Sequence, residues 1–376
     1  MSPTAPAPAA VAGSSPWPVS PRPPRWSTSK STSFWWRCSA KNIDAPAGVR
    51  SRRHRVQSAR PRAVVFRSAL GRRRSPTSTT STCRWTGKHG RYKSLGLEVS
   101  KTALWDQVFL LAQDLKPTYQ ALKESLLAEE VMGLDQTSWK SLGSKSSKPH
   151  QMWCLTSERA VFHAIRDDKS VATFRDLLGE YSGIIACDAL STHLAASDSA
   201  HRYRIAHCWA HVVRRLRDIV HDFPAAQTGL DLIRDLYAIE ERAESRAHRA
   251  ELRRTESRRV LDELEGWLQS HSAIRGTELW NALRYTRGIW PGLTVFVEHP
   301  DVWLDNNRTE RGLRGPVVGR KNHYGSKSTR GTEVASIHYS LLETARLHGL
   351  NPTEYIVEAV RAGRRGELLL PWQMAG

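Results

Sequence analysis

The segments Val131-Met-Gly-Leu-Asp135 and Gly183-Ile-Ile-Ala-Cys-Asp188 decide the fold expected for this chain. Each is a short apolar run that ends in an aspartate, which is typical of a buried strand whose last side chain reaches a polar edge. Between them the sequence predicts two further strands, over 152–156 and 161–165, joined by four residues. So short a connection requires these two strands to pair antiparallel.

The strands that follow are separated by helical patterns. We expect a helix over 171–181, a strand over 183–187, a short helix near 190–196 and a strand near 203–206. Strands joined through helices favour parallel pairing. The predicted core is therefore α/β, a mixed sheet of three antiparallel strands and then parallel strands, with flanking helices.

Helical segments are predicted on both sides of this core. Ser100 is expected to cap a helix with the apolar stripe Leu104, Val108, Leu111 and Leu115, which ends at Lys116-Pro117 and is followed by a helix over 117–129. Residues 224–270 are strongly helical and densely charged. We interpret them as part of a helical insertion over about 224–300.

Charged residues are distributed unevenly along the chain. The formal net charge is +19, but residues 1–100 hold 19 Lys and Arg against only Asp44 and Glu98, a net of +17. The remaining 276 residues hold 37 basic and 35 acidic groups, a net of +2. DNA affinity in the later part must therefore come from local basic patches, because Lys and Arg bind phosphate by displacing counterions.

The composition also predicts the domain organisation. We expect a disordered, basic region rich in Pro, Ser and Arg over 1–93 and a helical lead-in over 94–130. A catalytic domain over 131–345 and a C-terminal helical tail over 346–376 follow. The five cysteines are scattered and form no Cys-x-x-Cys pair, which argues against a disulfide framework and against a zinc finger. No apolar run is long enough to span a membrane, so we expect a cytoplasmic protein.

A third acid joins the two strand-end aspartates. Glu310, in Leu304-Asp-Asn-Asn-Arg-Thr-Glu310-Arg, opens a predicted helix. Carboxylate oxygens are the ligands that Mg²⁺ prefers, and two such ions can clamp the attacking and leaving oxygens of a phosphoryl transfer. Asp305 is an alternative to Glu310, although it is well placed to cap the helix that follows.

Basic and aromatic residues near these acids are candidates for DNA binding. Arginine forks suit phosphate oxygens, and glycines at 319, 325 and 331 let the chain approach DNA closely; a solvated helix face is the alternative. Trp139 either stacks on a base or packs in the core, and His211 either packs or lies near the scissile phosphate. The predicted DNA-binding residues are Arg311, Arg314, Arg320, Lys321, Lys327, Arg330, Trp139 and His211.

Several ordered blocks resemble the DDE transposases of the insertion sequence 66 family. The resemblance runs from about Leu95 to Trp372. It rests on Asp135-Gln-Thr-Ser-Trp139, Gly183-Ile-Ile-Ala-Cys-Asp188, Cys208-Trp-Ala-His211-Val-Val-Arg-Arg215, Leu304-Asp-Asn-Asn-Arg-Thr-Glu310-Arg-Gly-Leu-Arg314, Gly319-Arg-Lys-Asn322 and Tyr339-Ser-Leu-Leu-Glu-Thr-Ala345.

The resemblance implies a ribonuclease H-like catalytic domain with Asp135, Asp188 and Glu310 as catalytic triad and as ligands of two Mg²⁺ or Mn²⁺ ions. It implies cutting and joining of double-stranded DNA at transposon ends by a bacterial, nucleoid-associated homo-oligomer, with possible element-encoded helper proteins. The alternative is a catalytically silent transposase relic that only binds DNA nonspecifically.

The N-terminal region departs from this resemblance, because the family usually carries a cysteine-rich zinc-binding segment there. Back-translating 81–91 with GC-rich codons and shifting by one base can yield His-Leu-Pro-Leu-Asp-Arg-Gln-Ala-Arg, which is similar to the family. We hypothesise that about the first 90 residues are translated in a shifted frame.

The coding DNA provides the test of this hypothesis. If it is correct, reading the first segment one base away should give an open, family-like sequence that contains the missing cysteines. A shifted frame interrupted by stop codons would instead mean that the basic region is native to the protein.

Overall fold

The computed structural model describes residues 96, 98–142, 149–188, 202–323 and 325–375. The predicted disorder of 1–93 and the short helix near 190–196 therefore lie outside the described residues. Within the described part, no helix combines the length and the apolar character needed to cross a membrane.

A single five-stranded sheet forms the centre of the fold. Its spatial order is β3-β2-β1-β4-β5. β1 pairs antiparallel with β2, and β2 with β3, whereas β4 is parallel to β1 and β5 is parallel to β4. The predicted mixed α/β topology is confirmed. The strands are β1 (Val131–Trp139), β2 (His150–Thr156), β3 (Val161–Arg166), β4 (Ile184–Cys187) and β5 (Arg204–His207).

Helices cover both faces of the sheet, and the helical insertion expected between β5 and Glu310 is present. A π-helical turn, Arg253–Ser257, interrupts it. The helices are α1 (Lys101–Leu127), α2 (Val171–Leu178), α3 (Trp209–Ile219), α4 (Ala226–Glu241), α5 (Arg246–Leu252), α6 (Arg258–Ser270), α7 (Glu278–Gly288), α8 (Trp290–Leu293), α9 (Asn307–His323), α10 (Thr329–Leu347), α11 (Pro352–Arg364) and α12 (Pro371–Met374).

The predicted break at Lys116-Pro117 is wrong, because α1 continues through Pro117 to Leu127. Proline removes one helical hydrogen bond, but the buried stripe continues beyond it through Thr118, Leu122 and Leu126. Burial of that face outweighs the local cost. The helix does start as predicted, since the Ser100 side chain accepts a hydrogen bond from the Ala103 amide at 3.0 Å.

The two faces of the sheet bury different groups of helices. One face, which includes Met132, Leu134 and Cys187, packs against α1, α2, α10 and α11. The opposite face, which includes Val131 and Ile184, packs against α3 and the helical insertion. Because side chains alternate along a strand, Asp135 belongs to this second face.

The outer edge of β3 is covered by hydroxyl groups instead of by another strand. Ser336, Ser340 and Thr344 follow one another at every fourth position of α10. Their oxygens accept hydrogen bonds from the amides of Ile165, His163 and Val161 at 3.1, 2.8 and 3.0 Å. This ladder satisfies the backbone donors that would otherwise leave β3 open to pairing with another chain.

A buried arginine supports the segment that leads into α9. Arg253 is 2 % exposed. It pairs with Glu240 at 2.6 Å and donates to the carbonyls of Phe296, His299 and Val302 at 2.8–3.0 Å. A buried guanidinium is tolerated when a carboxylate and carbonyls occupy its donors. The π-helical turn thus ties 296–302 to the insertion.

His163 completes a broken hydrogen bond in α9. Pro316 has no N–H, so the carbonyl of Gly312, four residues earlier, has no donor within the helix. The His163 Nε2 lies 3.1 Å from that carbonyl and fills the gap as a donor. The imidazole is completely buried, and burial lowers its pKa from 6.5 to about 4, against the opposing effect of the Gly312 bond.

This buried imidazole predicts a pH dependence of stability. An unfolded His binds a proton near pH 6.5, whereas the folded chain keeps His163 neutral down to about pH 4. Acid therefore favours the unfolded state between these values. Relative to His163→Gln, which keeps a neutral donor, the native chain should lose about 1.4 kcal/mol of unfolding free energy per pH unit across this window.

Urea unfolding of the two proteins from about pH 8 to about pH 4.5 measures the difference. The native chain and the variant should diverge only below about pH 6.5, the ordinary pKa of His. Parallel pH profiles would mean that His163 is protonated in the folded protein.

Candidate active site

Asp135 lies within β1 and not at its end. The strand was predicted to stop at this residue, but antiparallel pairing with β2 continues to Trp139 opposite His150. On the other side of β1, the parallel pairing with β4 ends at Leu134 opposite Cys187. Asp135 is therefore the first β1 residue beyond the β4 ladder.

Asp188 occupies the equivalent position on the neighbouring strand. It directly follows β4, one residue beyond the Leu134–Cys187 pair, so the register places it beside Asp135. Neighbouring strands lie about 4.8 Å apart, and laterally paired residues point to the same face. From this register we expect the two predicted aspartates to lie at the same level of the sheet.

Helix α9 crosses the same face of β1. The Cβ that Gly133 lacks would collide with the Thr309 hydroxyl, so only glycine permits this close approach. Nearer the end of α9, Arg320 donates to the Thr137 hydroxyl at 2.9 Å. Because Asp135 lies between Gly133 and Thr137, its side chain belongs to the face of β1 that α9 crosses.

Asn306 fixes the start of α9 against two strands. Its side-chain amide donates to the Leu134 carbonyl of β1 at 2.9 Å, and its backbone amide donates to the Cys208 sulfur, just after β5, at 3.2 Å. Its side-chain oxygen accepts from the Thr309 hydroxyl at 2.5 Å. Asn306 is 1 % exposed, and its bonds connect β1 with the residue that follows β5, the two strands on either side of β4.

The Asp305 carboxylate accepts hydrogen bonds at the start of α9, as predicted. Its carboxylate accepts from the backbone amide of Asn307 at 3.0 Å and from the Asn307 side chain at 2.7 Å. The Tyr237 hydroxyl donates to the same carboxylate at 3.2 Å. Three donors therefore hydrogen-bond to the Asp305 carboxylate at the start of α9. The Glu310 side chain is less constrained than that of Asp305.

Glu310 lies in the first turns of α9 and faces α3. Its Oε1 is 4.0 Å from His211 Nε2 and 3.9 Å from an Arg214 terminal nitrogen. The Glu310 side chain is 36 % exposed and that of Arg214 is 58 % exposed. Contacts this long between exposed groups contribute little stability, so the carboxylate is only loosely held.

The Mg²⁺ ions that the resemblance implies can be tested against these side chains. The three acids offer only carboxylate oxygens, the donors that hard cations require, and the adjacent Asp135 and Asp188 suit a shared ion. Within the described ranges, however, no group of three or more His, Cys, Asp or Glu side chains is close enough to hold a metal. Glu310 faces Arg214 in this structure and does not complete a three-acid cluster with the two aspartates.

The cysteines around the aspartates do not supply reactive thiolates. Burial, with added repulsion from Asp188, raises the pKa of the Cys187 thiol well above its ordinary value. Burial likewise raises the pKa of Cys154, and that of Cys208 to about 12. All three described cysteines are free, so they act as protonated packing groups.

The predicted basic residues fall into different environments. Arg320 contacts β1 through Thr137. Arg330 lies over the Phe109 ring, 3.4 Å from its centroid, and 3.6 Å from Asp106. The remaining four predicted basic residues are exposed. Three of these four lie on one side of α9 and form a basic, solvent-exposed face of that helix. These three are Arg311, Arg314 and Lys321, and the fourth is Lys327.

Trp139 was included among the DNA-binding residues, but its side chain is completely buried. Its indole N–H donates to the Ser326 hydroxyl at 3.0 Å, and its ring packs against His323 and Tyr339. The ring cannot stack on a base from this position, so the alternative of core packing is correct. The position four residues after Asp135 returns the side chain to the helix-covered face of β1.

Sequence reasoning missed the residues that assemble the site without taking part in an obvious chemical motif. Asn306, Thr309 and Gly133 are buried or close-packed at the contact between α9 and β1. Arg214 is the ionic partner of Glu310. The run Asp305-Asn-Asn before a helix indicates a cap, but it does not identify which strand the cap contacts.

The contacts of Asn306 lead to a prediction about stability. Asn306→Ala removes the donor to the buried Leu134 carbonyl, and an unsatisfied buried polar group costs about 1–3 kcal/mol. Urea denaturation should therefore show a loss of this size. Asn281→Ala, at an exposed position of α7, should change stability by less than about 0.5 kcal/mol. Equal effects of the two substitutions would show that Asn306 does not anchor α9.

Comparison with known proteins places this geometry in a family. The sequence pattern described as "Transposase IS66 family" matches residues 86–334, about two thirds of the chain. The matched region contains all three predicted acids. The Tyr339–Ala345 block noted in the sequence lies beyond it.

Curated relatives from Sinorhizobium fredii (strain NBRC 101917 / NGR234) are similar to a large part of the chain. The uncharacterized protein y4jD is 26% identical over 309 residues, which covers 74% of this chain and 58% of the relative. The uncharacterized protein y4hP is 24% identical over 319 residues, which covers 75% of this chain and 58% of the relative. The chain thus spans less than two thirds of the length of these relatives.

Proposed function

The chain belongs to the IS66 transposase family, and from this we propose that it cuts and joins DNA phosphodiester bonds at the ends of an insertion sequence. The observation that supports the proposal is the register of β1 and β4, whose parallel pairing ends one residue before Asp135 and Asp188. Helix α9 crosses the same face and carries Glu310. Two adjacent strand carboxylates and one helix carboxylate suit phosphoryl transfer with two metal ions.

In this proposal Asp135, Asp188 and Glu310 hold two Mg²⁺ or Mn²⁺ ions. When bound, such ions activate a water and stabilise the charge that develops on the attacking and leaving oxygens. A divalent cation bound between them would balance the negative charges of two adjacent carboxylates. The arrangement of Asp135 and Asp188 is therefore best explained as a cation site.

Glu310 completes this site by leaving its contacts with α3. Its distances of 4.0 and 3.9 Å to His211 and Arg214 are long for ion pairs, and the groups are partly exposed. Turning the side chain away from them costs little. Once Glu310 turns toward the aspartates, Arg214 becomes available to a phosphate oxygen, which attracts a guanidinium more strongly through paired hydrogen bonds.

The substrate in this proposal is double-stranded DNA. The exposed cations Arg311, Arg314 and Lys321 lie on α9, the helix that also carries Glu310, and would hold the sugar-phosphate backbone beside the acids. In the first reaction, a water oxygen bonds to phosphorus as the bond to the 3′ oxygen breaks. The released 3′-OH then attacks a target phosphodiester, and the 3′ oxygen of the target strand leaves.

Substitution of the acids tests this function. Asp188→Asn keeps the shape of the side chain but removes a metal-binding charge, so Mg²⁺-dependent cleavage of end-containing DNA should fall by at least about 100-fold. Asp305→Asn is the matched control. Asparagine removes the same charge but keeps an oxygen that can accept from the Asn307 backbone amide, so this variant should keep most of the activity.

The outcomes separate the enzyme from a relic. Cleavage that survives Asp188→Asn, or that is lost instead in Asp305→Asn, would contradict the assignment of the acids. DNA binding without any Mg²⁺-dependent cleavage by the unaltered chain would favour the silent relic, which keeps the fold but not the reaction.

A further inference from the structure

One basic residue beside the acids is held in place by the helical insertion. Arg215 lies on α3, and its guanidinium carbon is 3.9 Å from the centre of the Tyr285 ring on α7. Guanidinium groups stack favourably on aromatic faces, and stacking restricts an otherwise mobile side chain. Arg215 remains exposed in this position.

The face of α3 that carries His211 and Arg214 lies beside Glu310. His211 is followed by Arg214 three positions later and by Arg215 four positions later, so each arginine is a neighbour of His211 on the surface of α3. The first two of these residues lie about 4 Å from Glu310. The opposite side of α3 is buried through Trp209, Val212, Val213, Leu216 and Ile219.

Tyr285 lies within the electrostatic influence of both Arg215 and Asp188. Burial raises the pKa of Tyr285, the charge and a hydrogen bond of the adjacent Arg215 lower it, and the Asp188 carboxylate raises it further. Tyr285, the residue on which Arg215 stacks, is thus close enough to Asp188 to feel its charge. None of the ion pairs formed among the described residues uses Arg215, whereas Arg214 is paired with Glu310.

We propose that Arg215, stacked on Tyr285, binds a backbone phosphate of the DNA strand that enters the acid site. The proposal rests on the function proposed above and assigns to the helical insertion a role in holding the substrate. A guanidinium has five N–H donors in its plane, so contact with one tyrosine leaves enough of them for two parallel hydrogen bonds to phosphate. A lysine at this position would supply the charge without the planar fork.

Salt-dependent DNA binding tests the proposal without depending on cleavage. Binding of a short fluorescein-labelled duplex of mixed sequence is measured by anisotropy, with Ca²⁺ in place of Mg²⁺, over a series of salt concentrations. Loss of one phosphate contact in Arg215→Ala should reduce the slope of log K against log salt by about 0.9. Arg361→Ala is the control, because this exposed arginine lies on α11, against the opposite face of the sheet.

Three further variants identify the role of the stack. Tyr285→Phe keeps the ring and should bind DNA nearly as the unaltered chain does. Tyr285→Leu should weaken binding at every salt concentration, because Arg215 loses its orientation. Arg215→Lys should keep the slope but lose affinity, since the charge remains and the fork does not.

The results distinguish this proposal from the proposed function. If Arg215→Ala and Arg361→Ala give the same slope as the unaltered chain while Asp188-dependent cleavage is present, the Arg215 proposal alone is overturned. If the slope falls only in Arg215→Ala but no variant or unaltered chain cleaves DNA, the phosphate site stands and the proposed function is wrong. A chain that binds no duplex would overturn both.

Discussion

The position of α9 against β1 and the end of β5 is the constraint on which the candidate site depends. Asn306 bonds to the Leu134 carbonyl on one side and to the Cys208 sulfur on the other. The strand between these contacts is β4, which delivers Asp188. The helix start is thereby fixed across three neighbouring parallel strands, and Glu310 follows one turn later.

Contacts from both the helical insertion and the sheet hold α9 in this position. Arg253 ties the segment before α9 to the insertion through its bonds to three carbonyls. On the sheet side, His163 supplies the donor that Pro316 denies to Gly312, so the later part of α9 is held by β3. The same insertion places a tyrosine against Arg215. Structural support and the proposed substrate contact thus come from one part of the chain.

Local sequence patterns were sufficient to predict some features of the fold. Other features depend on contacts between residues that are far apart in the chain. Apolar runs identified the strands, and the short connection at 157–160 required the antiparallel pairing that the structure confirms. The apolar runs did not show that Asp135 lies inside β1. Pairing of β1 with β4 ends at Leu134, whereas its pairing with β2 continues to Trp139. Trp139 itself is buried by residues far from it in the chain, and α1 continues through Pro117 because tertiary packing outweighs a local preference.

The central claim is that Asp135, Asp188 and Glu310 form one divalent cation site. A crystal structure determined with Mn²⁺, with the ions located by their anomalous scattering, tests it most directly. The account predicts Mn²⁺ between the carboxylates of Asp135 and Asp188, at oxygen distances of about 2.1 Å as for Mg²⁺, with Glu310 turned away from Arg214 to join them. Mn²⁺ bound at Asp305, or absent from the two aspartates at saturating concentration, would contradict it.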